Sequence, residues 1–195
     1  GGDMTDLIEL EARIARLEAR AEISDLVTRY GIACDERDIP QLESLFTRDA
    51  VFDSPTGIMR AEGRTAIIDM FCEVLAIRGP GYHWTHDHII RFDRGTDVAA
   101  SGLLLSHAET TPGGTHSLAA MKYDDEYRVE DGRWRFAKRT IHFLYYVPAS
   151  EHVGALTQAE RVVAGDRRLP ADYPEGLAAW QEFEDRYVQG TKRRD

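Results

Sequence analysis

The chain contains 195 residues, enough for one domain with a well-buried core and a short appendage. Hydrophobic residues make up 43% and charged residues 30%, which is ordinary for a soluble globular protein. The formal net charge is −10 and no long basic run occurs, so nucleic acid is not an expected partner, because phosphate binding needs concentrated Lys and Arg.

The sequence contains no predicted membrane span or signal peptide. No run approaches the roughly 20 apolar residues that cross a bilayer, and the start of the chain lacks basic and apolar regions. Gly1–Asp3, before Met4, have the character of an added expression tag. Two cysteines, Cys34 and Cys72, do not make a disulfide framework. We therefore expect a cytoplasmic protein without a membrane partner.

The first half of the chain is predicted to be mainly helical. Apolar residues recur every three or four positions over 5–36, with charged residues between them. A break near Arg20 would separate a leading helix, 4–19, from a core helix. Three further segments are predicted here: a helix over 39–46, a strand pair over 50–53 and 58–62, and a helix over 64–77.

The second half changes to a β-strand pattern. Its β-rich runs are 82–92, 98–110, 115–129 and 133–147. The runs are separated by short turns rich in Gly, Asp and Pro, which predicts hairpins and an antiparallel sheet. Helices followed by a strand meander indicate the α+β class, with one domain over 4–147. From Pro148 the pattern weakens, and helices over 155–165 and 175–188 would dock on the domain or on a neighbouring subunit.

Asp35 and His83 are the first candidate site residues. Asp35 ends the predicted core helix, whose apolar stripe would aim a carboxylate into the space between helices and sheet. A solvated aspartate at a helix end is the simpler interpretation. His83 begins the first long strand, where a carboxylate partner would orient it as a base. A surface or core histidine is the alternative here.

Strand alternation separates His83 from its histidine neighbours. It places His83 and Thr85 on one face and Trp84, His86 and His88 on the other. Two histidines two positions apart on a strand can chelate a metal, with a third ligand from His107, His116 or His142. No acidic ligand stands at a recognisable spacing, so we expect no metal. Glycine-rich cofactor loops are also absent from the sequence, so we expect no organic cofactor.

Arg139 is a further candidate, on the last long strand. If it points inward, it offers a fixed cation to a developing anion, whereas a salt-bridged strand residue is the alternative. The aromatic cluster after it, Phe143, Tyr145 and Tyr146, is expected in the core or the pocket wall.

Several segments together resemble SnoaL-like proteins of the nuclear transport factor 2-like superfamily. The segments are Arg20–Tyr30, Asp35, Leu42–Phe52, Gly63–Ile67 and Tyr127–Arg139. The resemblance covers about residues 15–147. It implies a cone-shaped α+β barrel, in which N-terminal helices pack on a strongly curved antiparallel sheet around a deep pocket. The family's enzymes include dehydratases, a hexachlorocyclohexane dehydrochlorinase, isomerases, cyclases and formaldehyde lyases.

The resemblance also implies roles for individual residues. Asp35 and His83 stand where the dehydrochlorinase and the bile-acid dehydratase carry an Asp–His dyad. Tyr30 matches a tyrosine of the bile-acid enzyme, and Arg139 matches a strand arginine of the dehydrochlorinase. Gly81 replaces a cysteine of the dehydrochlorinase, which argues against dehydrochlorination.

These observations predict a cofactor-independent lyase that eliminates water or formaldehyde from a small apolar, hydroxylated, aromatic or polycyclic substrate. The expected pocket walls are Leu104, Met121, Tyr123, Phe143 and Trp84. An isomerase or cyclase with the same dyad, a non-catalytic binding or assembly module, and a metal-dependent enzyme are the alternatives. We expect a homodimer or homotrimer, because an open curved sheet leaves an apolar face to be covered.

Overall fold

The computed structural model describes residues 2–189. Its helices are α1 (Gly2–Glu36), α2 (Ile39–Ser44), α3 (Arg64–Ala76) and α4 (Ala178–Phe183), with a 3₁₀ helix over Ala149–Thr157 and a π-helix over Glu184–Gln189. Its strands are β1 (Phe46–Asp53), β2 (Ala61–Glu62), β3 (Tyr82–Phe92), β4 (Ala99–Thr110), β5 (Ser117–Glu130), β6 (Arg133–Pro148), β7 (Val162–Ala164) and β8 (Arg167–Leu169). None of the helices within 2–189 is both long and apolar enough to cross a membrane.

Helix α1 is continuous, so the predicted break near Arg20 is wrong. The guanidinium groups of Arg16 and Arg20 lie over the Phe92 ring, at 5.4 and 5.2 Å from its centroid. This contact attaches the middle of α1 to the end of the sheet. The second half of the helix buries its apolar stripe in the core, whereas the first half exposes Leu7, Leu10, Ile14 and Leu17. The homodimer or homotrimer expected from the sequence stays a prediction.

The sheet is strongly curved and mixed, with strand order β2-β1-β6-β5-β4-β3. The long strands β3 to β6 form the predicted antiparallel meander, because short turns join them. Strands β1 and β7 instead pair with β6 in parallel. Helices α1 and α3 pack against the sheet, and the core lies between these layers. This is the α+β cone that the sequence predicted.

Three β-bulges within the antiparallel strands β3 to β6 change which side chains face the core. One lies between Thr85 and His88 in β3, where the pairing with β4 shifts by one residue. The others insert Ala137 and Leu144 into β6 opposite β5. Each bulge adds a residue to one strand and reverses the inward and outward alternation beyond it. The bulge at Leu144 therefore puts Phe143 and Tyr146 on the same face of the sheet.

The tail docks on β6 of the same chain. The helix predicted over 155–165 is wrong beyond Thr157, where the 3₁₀ helix ends and the chain continues into β7, which pairs with β6 at Tyr146 and Val162. Arg161 is 2% exposed and anchors the segment. Its guanidinium donates hydrogen bonds to four acceptors, the carbonyls of Leu144, Gln158 and Tyr173 and the carboxylate of Glu175. The second helix predicted in the tail, over 175–188, is observed as helix α4 followed by the π-helix.

Candidate active site

A narrow chamber lies between α1, α3 and the concave face of β4 to β6. It has a volume of about 30 Å³, room for one or two water molecules. Most of its walls are apolar or aromatic: Tyr30, Cys34, Met59, Phe71, Leu75, Ala108, Ala119, Met121, Tyr123, Ile141, Phe143 and Tyr146, with Arg78, His83 and Thr110 as polar members. The chamber adjoins a wider groove of about 570 Å³, and the two share Met59, Arg78, Phe143 and Tyr146.

The structure brings Asp35 and His83 together at the rim of this chamber. The His83 Nδ1–H donates to Asp35 Oδ1 at 2.6 Å, and the His83 backbone N–H donates to Oδ2 at 2.9 Å. Both carboxylate oxygens therefore hold the same residue, which fixes the imidazole tautomer and its orientation. Within residues 2–189, Nε2 makes no hydrogen bond and is the ring nitrogen left for a molecule in the chamber.

Gly31 allows this approach between helix and strand. A Cβ atom at residue 31 would lie 3.2 Å from the His83 Cβ and 4.0 Å from its Cγ. The helix therefore presents bare backbone to the histidine one turn before Asp35. The close packing of α1 on β3 at this point sets the distance between carboxylate and imidazole.

Tyr30 and Cys34 line the chamber from the same helix as Asp35. The Tyr30 ring stands edge-on to His83, with 6.4 Å between centroids. Burial raises the pKa of the Tyr30 hydroxyl well above its usual value, so the group keeps its proton. Burial also raises the pKa of Cys34 to about 12, which leaves an unreactive thiol.

Arg139 is fully buried but does not line the chamber. Its guanidinium carbon lies 3.8 Å from the Tyr123 ring centroid, 4.2 Å from that of Tyr30 and 4.4 Å from that of Phe136. Its Nε is 3.1 Å from Asp125 Oδ1, without the alignment of a hydrogen bond. Tyr30 and Tyr123 stand between this cation and the chamber. Two aromatic rings therefore separate Arg139 from the interior of the chamber.

A buried polar chain continues from Arg139 away from the chamber. The Tyr127 hydroxyl donates to Asp125 Oδ2 at 2.9 Å, and His88 Nε2 lies 3.0 Å from the same hydroxyl. Because the hydroxyl's one proton goes to Asp125, the His88 Nε2 must carry the proton in the second bond. Burial, together with the Arg139 charge, lowers the pKa of His88 to about 4, so this histidine is neutral.

Because of the bulge in β3, His86 and His88 lie on opposite faces of the sheet, although simple alternation predicted that they share one face. His88 points inward to Tyr127, whereas His86 is exposed and its Nε2 lies 2.8 Å from Nδ1 of His107. The part of the chain that the structure describes contains no cluster of three or more His, Cys, Asp or Glu side chains suited to a metal ion.

Three of the predicted wall residues line the chamber, and two do not. Met121, Tyr123 and Phe143 are in its walls. Leu104 is 1% exposed but packs in the core outside the chamber. Trp84 is 42% exposed on the opposite face, where its ring lies 4.6 Å from that of Tyr82. Trp84 points outward because it alternates with His83 along β3.

Sequence reasoning missed several other wall residues. The Thr110 hydroxyl lies 2.6 Å from the Tyr146 hydroxyl and forms a polar spot in the apolar wall. Arg78 enters from the loop after α3. Inward alternation along β4 signals Thr110, but no pattern in the sequence identifies Arg78.

Comparison with known proteins shows the family of the chain. The profile of the SnoaL-like domain matches residues 15–140, well over half of the chain. The chain belongs to the SnoaL-like family. Gamma-hexachlorocyclohexane dehydrochlorinase of Sphingobium indicum is 30% identical over 134 residues, which cover 68% of this chain and 85% of that enzyme.

Solved structures extend the likeness to the fold. The crystal structure of LinA is 27% identical, with a TM-score of 0.65 over 71% of this chain and 94% of LinA. A scytalone dehydratase-like protein from Novosphingobium aromaticivorans is 18% identical, with a TM-score of 0.65 over 85% of this chain and 99% of that protein. The second match bears on the fold alone.

The SnoaL-like match ends inside β6, and part of the cavity wall comes after it. Phe143 and Tyr146 of the chamber follow residue 140. The groove is further walled by the β7–β8 hairpin, through Val163, Ala164, Gly165 and Arg167. The SnoaL-like core thus supplies the Asp35–His83 pair, and the tail supplies an outer wall.

Proposed function

We propose that this SnoaL-like chain is a lyase that uses Asp35 and His83 as an acid–base dyad without an organic cofactor. The observation that carries the proposal is the 2.6 Å bond from His83 Nδ1 to Asp35, which leaves Nε2 available in an apolar chamber. A carboxylate in this position stabilises the imidazolium that forms when Nε2 takes a proton. The relatives are named as dehydrochlorinases, which is an elimination activity, and this favours the same reaction class.

The proposed step is an elimination. For loss of water, His83 Nε2 takes a proton from carbon, the C–H electron pair forms the double bond, and the hydroxyl leaves from the adjacent carbon with a proton from the site. For loss of formaldehyde, Nε2 takes the proton of a hydroxymethyl group. The C–C bond then breaks as the carbonyl of formaldehyde forms, the released electron pair forms the alkene, and a hydroxyl departs from the next carbon as water with a proton from the site, so that formaldehyde and water are both released.

Tyr30 is proposed as the proton donor to the leaving group. Its hydroxyl is buried and protonated, and its ring is 6.4 Å from that of His83. Arg139 is proposed as a positioning residue, because it contacts Tyr30 and Tyr123 from behind the wall. A positive charge at this distance favours negative charge that develops on either hydroxyl.

A hydroxylated substrate fits better than a chlorinated one. The Thr110–Tyr146 hydroxyl pair offers hydrogen bonds within an otherwise apolar wall. Gly81 lies so close to β4 that an added Cβ would stand 3.0 Å from the Glu109 carbonyl oxygen. A cysteine at this position, as in the dehydrochlorinase, would therefore require a shift of the backbone.

A screen of hydroxylated aromatic and polycyclic compounds with product mass analysis tests the proposal. The wild type should release water or formaldehyde, and His83→Ala should reduce the rate by about 10²- to 10⁴-fold. Asp35→Asn should also be impaired, because the amide cannot stabilise the imidazolium. His86→Ala, an exposed histidine of the same strand, is the matched control.

Two outcomes would count against this assignment. Equal rates for His83→Ala and the wild type would contradict a catalytic role for the Asp35–His83 dyad. A product with the mass of the substrate would replace the lyase with an isomerase or cyclase that uses the same dyad.

A further inference from the structure

Arg78 is a half-buried cation in the wall between the chamber and the groove. Its guanidinium carbon lies 5.8 Å from the centroid of the Tyr146 ring. Its charge also reaches the far end of the chamber, where it opposes the burial that raises the pKa of the Cys34 thiol. The head group is therefore directed into the cavity rather than toward bulk solvent.

The guanidinium of Arg78 has no anionic partner among residues 2–189. It takes part in no ion pair or side-chain hydrogen bond of the described chain. No aspartate is among the residues that line the chamber or the groove. Glu is likewise absent from both sets of lining residues. The other two buried arginines differ, since Arg139 faces Asp125 and Arg161 binds Glu175. A partly desolvated cation without a counter-charge is unfavourable unless a ligand supplies one.

The backbone of Arg78 is fixed while its head stays unengaged. Arg37 donates from its guanidinium to the carbonyls of Arg78 at 3.1 Å and of Gly79 at 2.8 Å, and also to that of Cys34 at 2.5 Å. Arg78 further forms an isolated β-bridge with Pro112. These contacts tie the loop after α3 to the end of α1, three residues or fewer from Asp35. The backbone from which the Arg78 side chain extends is therefore fixed relative to the dyad before any ligand binds.

We propose that Arg78 binds a carboxylate of the substrate, whose apolar body lies in the groove and whose reacting C–H and hydroxyl groups point into the chamber toward His83. This assignment rests on the proposed function and narrows its substrate to an apolar, hydroxylated carboxylic acid. The groove suits the apolar body, because Ile58, Val74, Ile77, Phe143 and Val163 are among its walls. A guanidinium suits the carboxylate, because its donors match both oxygens at once.

Binding of two matched probes tests the assignment. We would measure the affinities of 2-naphthoate and of the neutral 2-naphthamide by calorimetry at pH 7 and low salt. The wild type should prefer naphthoate by about tenfold or more, as expected for a charge-assisted contact. Arg78→Met should remove this preference and leave naphthamide binding unchanged, and Arg78→Lys should keep part of it. Arg94→Met, which removes the same charge from an exposed turn, should behave as the wild type.

Three results would overturn the assignment. They are equal affinities for the two probes in the wild type, no measurable binding of naphthoate, and a preference that survives in Arg78→Met. A preference lost in Arg167→Met but kept in Arg78→Met would place the anion at the exposed rim of the groove instead. The His83→Ala variant should retain the naphthoate preference. Loss of turnover in His83→Ala therefore tests the proposed dyad, whereas loss of charge preference in Arg78→Met tests the proposed carboxylate site.

Discussion

Gly31→Ala tests how helix α1 holds the Asp35–His83 pair. The added methyl would meet the His83 Cβ at 3.2 Å, where ordinary contacts lie at 3.4–4 Å. Relief needs a movement of only a few tenths of an ångström, so the overpacking cost falls near the low end of about 1–3 kcal/mol. Replacing glycine inside a helix gains about 1 kcal/mol. The free energy of unfolding should therefore stay within about 1 kcal/mol of the wild-type value.

The same movement should have a larger effect on the site than on stability. Displacing His83 lengthens its bonds of 2.6 and 2.9 Å to Asp35, and small misplacements of a reacting group cost up to about a hundredfold in rate. Urea unfolding measures the stability, and solvent exchange of the His83 Nδ1 proton, followed by NMR, measures the contact. Gly154→Ala is the control, since nothing lies within 4 Å of its added methyl. An exchange rate equal to that of the wild type would refute the reasoning.

Two further predictions concern the buried polar chain behind the chamber. Gly102→Ala should lower the free energy of unfolding by about 2–3 kcal/mol, because its methyl would lie 2.6 Å from the hydroxyl of Tyr127, a 1% exposed residue that Asp125 holds. A loss no greater than that of Gly154→Ala in urea unfolding would contradict this. The pKa of His88 is lowered to about 4 from an ordinary 6.5, so its stabilising contribution is full above pH 6.5 and is lost as the pH falls toward 4. His88→Gln cannot titrate. Between pH 6.5 and pH 4 its free energy of unfolding should therefore fall by on the order of 1–2 kcal/mol less than that of the wild type, a figure that allows for the partial exposure of His88. Parallel stability curves for the two proteins would be inconsistent with a titrating His88.

The long strands could be predicted from sequence for physical reasons, whereas the Asp35–His83 pair was predicted through the resemblance to SnoaL-like enzymes. The runs that became β3 to β6 are bounded by turns rich in Gly, Asp and Pro, so their ends fall within two residues of the prediction. Asp35 ends a helix and His83 begins the strand against which that helix packs. Their places at the ends of neighbouring elements permit a contact, but each residue alone also had a simpler interpretation, and the resemblance decided between them.

Side-chain direction along the strands was less predictable, because it depends on bulges. A bulge is a matter of hydrogen-bond register between two strands, and one strand's period of two does not reveal it. His88 therefore faces the core although His86 faces outward. Likewise Phe143 and Tyr146 share a face that simple alternation would divide between them.

Contacts between distant segments were also hidden from the sequence. Arg78 follows α3 in a loop without a motif, and only the fold shows that its head enters the cavity. Residues 155–165 of the tail were expected to be helical, but the edge of β6 offers unpaired backbone groups that β7 satisfies. Arg139 was expected to face a bound molecule, and the structure instead places Tyr30 and Tyr123 in front of it.

The β7–β8 hairpin and the Asp35–His83 pair lie in separate parts of the chain. The pair lies within the stretch that the SnoaL-like profile matches, whereas the hairpin follows it and walls the groove. Substitutions in the hairpin can reshape that wall while the packing of α1 on β3 stays intact. The shape of the groove can therefore be changed independently of the contacts that hold Asp35 beside His83.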